Sequence, residues 1–174
     1  MAAQISTDGG EGRVQVGGVT AIASFSITRP ADTTQYTATD QVGSINLIFD
    51  VARVSGGSGI VSSAVLIDST AESTKPYIDL LLFDSPVTNV ADNATAAPTD
   101  LEVERAIPNG VISFDGVNYF KVAGANGLIP VGNLNIPFVC REGSTKLYGI
   151  LVARNAYTPV SAEKFTIRLG ILQD

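Results

Sequence analysis

Hydrophobic and polar residues alternate along much of this chain with a period of two, the repeat that puts successive side chains on opposite faces of a β-strand. Val19, Ala21, Ala23, Phe25 and Ile27 share one face; Thr20, Ser24, Ser26 and Thr28 share the other, with Ile22 the exception. Ile45, Leu47, Phe49 and Val51 oppose Ser44, Asn46 and Asp50, and Phe165, Ile167, Leu169 and Ile171 oppose Thr166 and Arg168. Residues 60–67, 77–83 and 147–153 are apolar on both faces. They are short and rich in Val, Ile, Leu and Tyr. That predicts strands buried on both sides, either central in a sandwich or covered by another subunit.

Turn residues punctuate these runs. Phe114-Asp115-Gly116-Val117 predicts a two-residue hairpin, because Gly tolerates the positive φ such turns need. Ser55-Gly56-Gly57-Ser58-Gly59 reads as a hairpin connection, and Pro108-Asn109-Gly110 and Asn126-Gly127 as further bends. The longest stretch without strand character runs from Asp84 to about Ile107, with Thr99-Asp100-Leu101-Glu102 offering one helical turn. A long ordered excursion in a compact β domain reads as a contact element. With no sustained helical period, about eight to ten strands separated by turns predict an all-β fold: a β-sandwich, in jelly-roll form. Residues 1–12 are small, polar and Gly-rich and predict a flexible N-terminal arm. Residues 13–174 suit a single domain.

Composition narrows the partners. Only 16% of the residues are charged, against 45% hydrophobic. Interface cores are depleted in charge, so partners would suit such a surface; abundant Ser, Thr, Asn and Gly supply polarity without any partner, and both readings stay open. The net charge is −6 and the 11 basic residues are scattered, which argues against the nucleic-acid backbone and anionic membranes as partners. No apolar run approaches the ~20 residues that span a bilayer, and no secretion-signal pattern opens the chain. The expectation is a soluble protein made in a cytoplasm.

The chemistry expected of an enzyme finds few candidates. The chain has no His, which removes the usual general base near neutral pH and His-dependent triads. Cys140 is the lone cysteine; in its apolar surroundings it reads as a small buried hydrophobe. Asp79 interrupts an apolar run, but no second acid is tied to it by spacing, so it reads as an outward or hydrogen-bonded strand residue. Asp32-Thr33-Thr34 lacks the Gly of an aspartic-protease motif. Asp84, Asp92, Asn93 and Asp100 offer oxygens to Ca²⁺, but not in EF-hand spacing, and turns bridged by Asp or Asn side chains account for them. The expectation is no enzyme activity, no metal and no cofactor.

Several segments carry a resemblance. Arg29-Pro30-Ala31-Asp32-Thr33-Thr34-Gln35-Tyr36, Asp40-Gln41-Val42-Gly43, Phe49-Asp50-Val51-Ala52-Arg53, Gly56-Gly57-Ser58-Gly59, Leu82-Phe83-Asp84-Ser85-Pro86, Ala91-Asp92-Asn93, Leu147-Tyr148-Gly149-Ile150-Leu151, Ala156-Tyr157-Thr158-Pro159 and Phe165-Thr166-Ile167 are similar to stretches of small virion-associated proteins of tailed bacteriophages. The similarity runs nearly the whole chain from residue 29. It implies a β-sandwich head-decoration or cement protein. Such a protein would sit on the outer capsid surface as a homotrimer, bind the major capsid protein and copies of itself, and have no catalytic residues. Gln4 and Ile5 of the arm and Arg13 and Val14 directly after it, with Asp84, Pro86, Asp92, Asn93 and Asp100 of the excursion, are the expected capsid or subunit contacts. The alternative is a host-surface or glycan-binding module of a head or tail fibre. Against it, the chain has no Trp, and Tyr36, Tyr77, Tyr119, Tyr148 and Tyr157 show no clustering by strand position.

Overall fold

A computed structural model describes residues 18–70, 74–121 and 127–174. Ten strands follow one another along the chain: β1 (Val19–Thr28), β2 (Gln41–Asp50), β3 (Ser58–Asp68), β4 (Ile78–Phe83), β5 (Ala106–Phe114), β6 (Phe120–Lys121), β7 (Gly127–Val131), β8 (Ile136–Val139), β9 (Lys146–Ala153) and β10 (Lys164–Gln173). One helical turn, α1 (Asp100–Val103), precedes β5. The strands form two antiparallel sheets, β1-β10-β3-β7-β6 with β8 added beside β3, and β2-β9-β4-β5.

The pairing has a simple logic. Early strands meet late ones in reverse order, β1 with β10, β2 with β9, β3 with β7 and β4 with β5. A long antiparallel hairpin has thus been rolled over itself, and the contacts of β10 with β3 and β9 with β4 close each sheet sideways. This is the jelly roll, the arrangement the alternating pattern predicts.

The predicted faces hold. In β10, Phe165, Ile167, Leu169 and Ile171 are fully buried, and in β1 Ala23 and Ile27 point inward while Ile22 is 64% exposed. Phe25 of the first sheet meets Phe49 of the second edge to face, centroids 6.5 Å apart, across the core. Leu47 and Phe49 are buried as expected, but Ile45 is 48% exposed. The pairing of β2 with β9 shifts between Val42 and Leu47, and Gly43 there has a φ of +78°. The irregularity turns Ile45 outward.

The strands with two apolar faces divide into two cases. β3 alternates on either side of a bulge at Ser62-Ser63, with Val61, Ala64 and Leu66 inside and Ile60, Val65 and Ile67 half-exposed outside. In β4 and β9 the outer face is buried as well, because residues 84–105 lie over it: Phe83, Val87 and Ile150 form a second small core with Leu81, Ala96 and Val152. The chain covers these strands itself.

Two turn predictions are corrected. Asp115-Gly116 is not a hairpin: β5 belongs to the second sheet and β6 to the first, so the turn crosses the sandwich. Asp115 accepts from Val117 N–H at 2.8 Å and Asn118 Nδ2 at 2.6 Å. Gly116 is needed for close approach, since a Cβ there would meet the Lys75 carbonyl oxygen at 2.2 Å. The Gly-rich segment at 55–59 likewise joins strands of opposite sheets. Pro108-Asn109-Gly110 lies inside β5 as a bulge, with Asn109 at φ 59° and the pairing to β4 shifted there. The 12/13 boundary of the expected arm lies outside the described residues.

Candidate functional site

Four of the segments that carry the resemblance, at 29–36, 40–43, 91–93 and 156–159, meet at one end of the sandwich. Arg29, directly after β1, is 2% exposed and Tyr36 is fully buried. Arg29 Nε–H donates to the Tyr36 hydroxyl, the guanidinium also lies 4.6 Å from that ring's centroid, and Tyr36 donates to Asp92 Oδ1 at 2.6 Å. Arg29 Nη2 bonds Asp92 Oδ2 at 3.0 Å, and Gly43 N–H donates to Asp92 Oδ1 at 2.6 Å. Further out, Arg29 reaches the carbonyls of Asp32 and Val160 at 3.4 and 3.5 Å. Tyr36 pairs with Tyr157 across an isolated bridge. Burial works against the charge on Arg29, but Tyr36 and Asp92 more than offset it and its pKa is raised. Burial, then the bond to Asp92, pushes the Tyr36 hydroxyl far up, so it stays a donor.

The excursion is fastened to β2 beside this knot. Gln41, 1% exposed, accepts Asn93 N–H on its carbonyl at 3.0 Å and donates its own N–H to Ala94 O at 2.8 Å. Asn46 exchanges two bonds with the Val87 backbone, at 2.7 and 3.2 Å. At the far end Thr99 caps α1 in a reciprocal box with Glu102. Glu102 also accepts Thr88 N–H and hydroxyl at 2.6 and 2.8 Å. These bonds, those of Thr99 first, hold its pKa down at about 2.

Among the expected contact residues, Pro86 and Asp100 are exposed and Asp84 is partly buried, accepting from Ser85 Oγ at 2.6 Å. The Asp92 side chain is 7% exposed and both its oxygens are bonded, to Arg29, Tyr36 and Gly43, so it anchors the loop from within. Asn93 is partly buried with φ 64°, the left-handed conformation Asn tolerates. Gln4, Ile5, Arg13 and Val14 lie outside the described residues. A shallow depression of about 440 Å³ beside the knot is lined by Asp32, Asp92 and Asn93. Among the described residues no group of three or more His, Cys, Asp or Glu is placed to hold a metal ion.

A second buried cluster sits where β3, β10 and the segment before β4 meet. Lys75 Nζ bonds Asp68 Oδ2 at 2.8 Å, with both side chains at most 1% exposed. Thr70 donates to Asp68 at 2.7 Å and to Glu163 at 3.2 Å, and the Tyr157 hydroxyl donates to Glu163 at 2.6 Å. Burial, with Asp68 nearby, pushes the Glu163 carboxyl up to about 7. This cluster was not legible in the sequence, because nothing in the spacing of Asp68, Lys75 and Glu163 marks them as neighbours.

Asp79 is 4% exposed; its Oδ2 pairs with Arg154 at 3.2 Å and its Oδ1 finds no hydrogen-bond partner among the described residues. Cys140 is buried, as its surroundings predict, and burial raises its thiol to about 11, which keeps it protonated and unreactive. No described helix is long and apolar enough to cross a membrane.

No protein-family model matches the chain, and no curated protein matches it. Among solved structures, a chain of "Cyanophage Pam1 capsid asymmetric unit" is similar with a TM-score of 0.38 and 16% identity, covering 100% of both chains. At that level the likeness assigns no role to any residue here.

Proposed function

We propose that this chain is a non-catalytic structural protein of a tailed-phage virion, a decoration or cement protein on the outer capsid surface. It binds the major capsid protein and copies of itself, as a homotrimer. The observation that carries the reading is spatial. Four of the segments by which the chain resembles virion-associated phage proteins, at 29–36, 40–43, 91–93 and 156–159, are far apart in sequence yet meet in one buried knot. The resemblance therefore follows a three-dimensional unit that fixes a long surface excursion onto a jelly roll, and a rigid sandwich with an ordered surface loop is suited to being clasped between neighbours. Many weak contacts repeated over a shell hold well through multivalency.

Quantitative mass spectrometry of purified virions, with binding of the isolated chain to capsids that lack it, tests the reading. Many copies per particle and saturable capsid binding are expected. Absence from the particle, or a few copies confined to the tail, overturns it. Saturable binding to one glycan on an array without capsid binding replaces it with a host-recognition module.

A further inference from the structure

We propose that copies of this chain associate head to tail, with α1 of one copy seated on the outer face of the β1-β10-β3-β7 sheet of the next; the inference rests on the assembly reading above. The two surfaces differ in chemistry and match each other.

The outer face of that sheet combines hydroxyl side chains, Ser24, Ser26, Thr28 and Thr166 among them, with an exposed apolar set. Ile22, Phe120, Val139 and Leu172 are 64%, 67%, 65% and 40% exposed, and Ile60, Val65 and Ile67 are half-exposed between them. A shallow groove of about 380 Å³ crosses its middle, lined by Ile22, Val65, Pro130 and Arg168. Within the six strands of this sheet the only acid is Asp68, which points inward to Lys75. The outward charges are basic: Lys164 and Arg168 are exposed, and Lys121 lies at the β6 edge. In a chain of net charge −6, an acid-free face of this extent calls for an acidic partner.

The excursion has the opposite character. Residues 84–105 hold five acids, Asp84, Asp92, Asp100, Glu102 and Glu104, against Arg105 alone. On α1, Leu101 and Val103 are 61% and 53% exposed, and no residue of the turn is buried. Yet the turn is pinned by its capping box and by Thr88 on Glu102. Ordering a turn has an entropic cost, and this one recovers none of it by burial within its own chain. It presents a rigid apolar knob with Asp100 and Glu104 at its rim, complementary to an apolar groove with Arg168 at its rim.

The excursion packs on the outer side of the second sheet, whereas the groove is on the outer side of the first. Knob and groove are different patches of one molecule, so a knob-in-groove contact repeated head to tail is heterologous. Such contacts close into rings when the rotation allows.

The test uses the full chain and two variants, Leu101→Asp/Val103→Asp and Ile22→Asp/Arg168→Glu, all at exposed positions, with circular dichroism and thermal melting to verify folding. By analytical ultracentrifugation the wild type self-associates and each variant alone is monomeric. An equimolar mixture of the two variants gives a heterodimer that does not grow, since one intact knob meets one intact groove. Arg168→Glu alone weakens association, and Glu104→Arg in the mixing partner restores it. A monomeric wild type, a variant that still associates, or a mixture that stays monomeric overturns the head-to-tail contact. If virions carry many copies of a chain that is monomeric in solution, this inference alone falls. If the chain associates as described but is absent from virions, the assignment to the capsid falls instead.

Discussion

The two buried charge clusters are built from the same materials and differ in stoichiometry. Around Arg29, one guanidinium meets one buried carboxylate, Asp92, and its remaining donors find the Tyr36 hydroxyl and two backbone carbonyls. Charge and hydrogen bonds close together. Around Lys75, one ammonium faces Asp68 directly while Glu163 shares the same pocket through Thr70 and Tyr157. Among the described residues, one cation for two carboxylates leaves an excess negative charge in a poorly solvated site, and the cheapest remedy is a proton. The first cluster is therefore a fixed fastener, while the second titrates near neutral pH.

The largest expected effect comes from breaking the closed cluster. Asp92→Ala leaves Arg29 buried opposite no carboxylate but the half-exposed Asp32, and removing one partner of a buried pair costs roughly 3–5 kcal/mol. It also frees Gly43 N–H and the Tyr36 hydroxyl, so the excursion loses one of its anchors to β2. Urea unfolding measures the loss. The double change Arg29→Met/Asp92→Leu, which removes both charges, recovers a substantial part of it, because the uncompensated ion is then gone. A single variant as stable as wild type would show the fastener to be ornamental.

The second cluster predicts a pH dependence with a definite sign. The folded-state pKa of Glu163 is raised from 4.5 to about 7, so the folded chain holds a proton that the unfolded chain releases. The associated stability is complete below the unfolded value and is lost as pH rises through 7, by about 3 kcal/mol in all. Glu163→Gln mimics the protonated carboxyl, with its amide able to donate toward Asp68. The variant matches wild type below about pH 4.5, gains on it as pH rises from there to about 7, and keeps a constant advantage above that. Chemical denaturation of both proteins across this pH range gives the difference, and a flat difference contradicts the stoichiometric argument.

What the sequence revealed was local. The alternation of Phe165 to Ile171 and of Ala23 to Ile27 identified strands and faces correctly, because period-two burial is written residue by residue. The α1 turn was visible in Thr99-Asp100-Leu101-Glu102 for the same reason, since a capping box spans four positions. What escaped was everything decided by contacts across the roll. Asp115-Gly116 has hairpin chemistry, yet it connects opposite sheets, and the Lys75 carbonyl that demands Gly116 is remote in sequence. The two apolar faces of β4 and β9 fitted either a central place in the sandwich or cover by another subunit, whereas Val87 and Ala96 of the same chain cover part of the outer ones. Asp92 looked like a loop acid free for partners because Arg29, its counterion, stands 63 residues away.

The smallest expected effect sharpens the contrast within the first cluster. Asp32 lies 3.5 Å from Arg29 Nη2, nominally an ion pair like that of Asp92, but its side chain is 45% exposed. Its carboxylate is held below the usual range chiefly by Thr34 N–H, which it accepts at 3.0 Å, with Arg29 a lesser influence. Water screens the pair and already solvates the carboxylate, so deleting it strands nothing. Asp32→Ala leaves the melting temperature within the scatter of wild-type replicates at both low and high salt. If Asp32→Ala were as damaging as Asp92→Ala, burial would not be what distinguishes the two carboxylates. Arg29 would then be held by the sum of its counterions, and the loop at 29–36 would matter as much to the knot as the excursion it fastens.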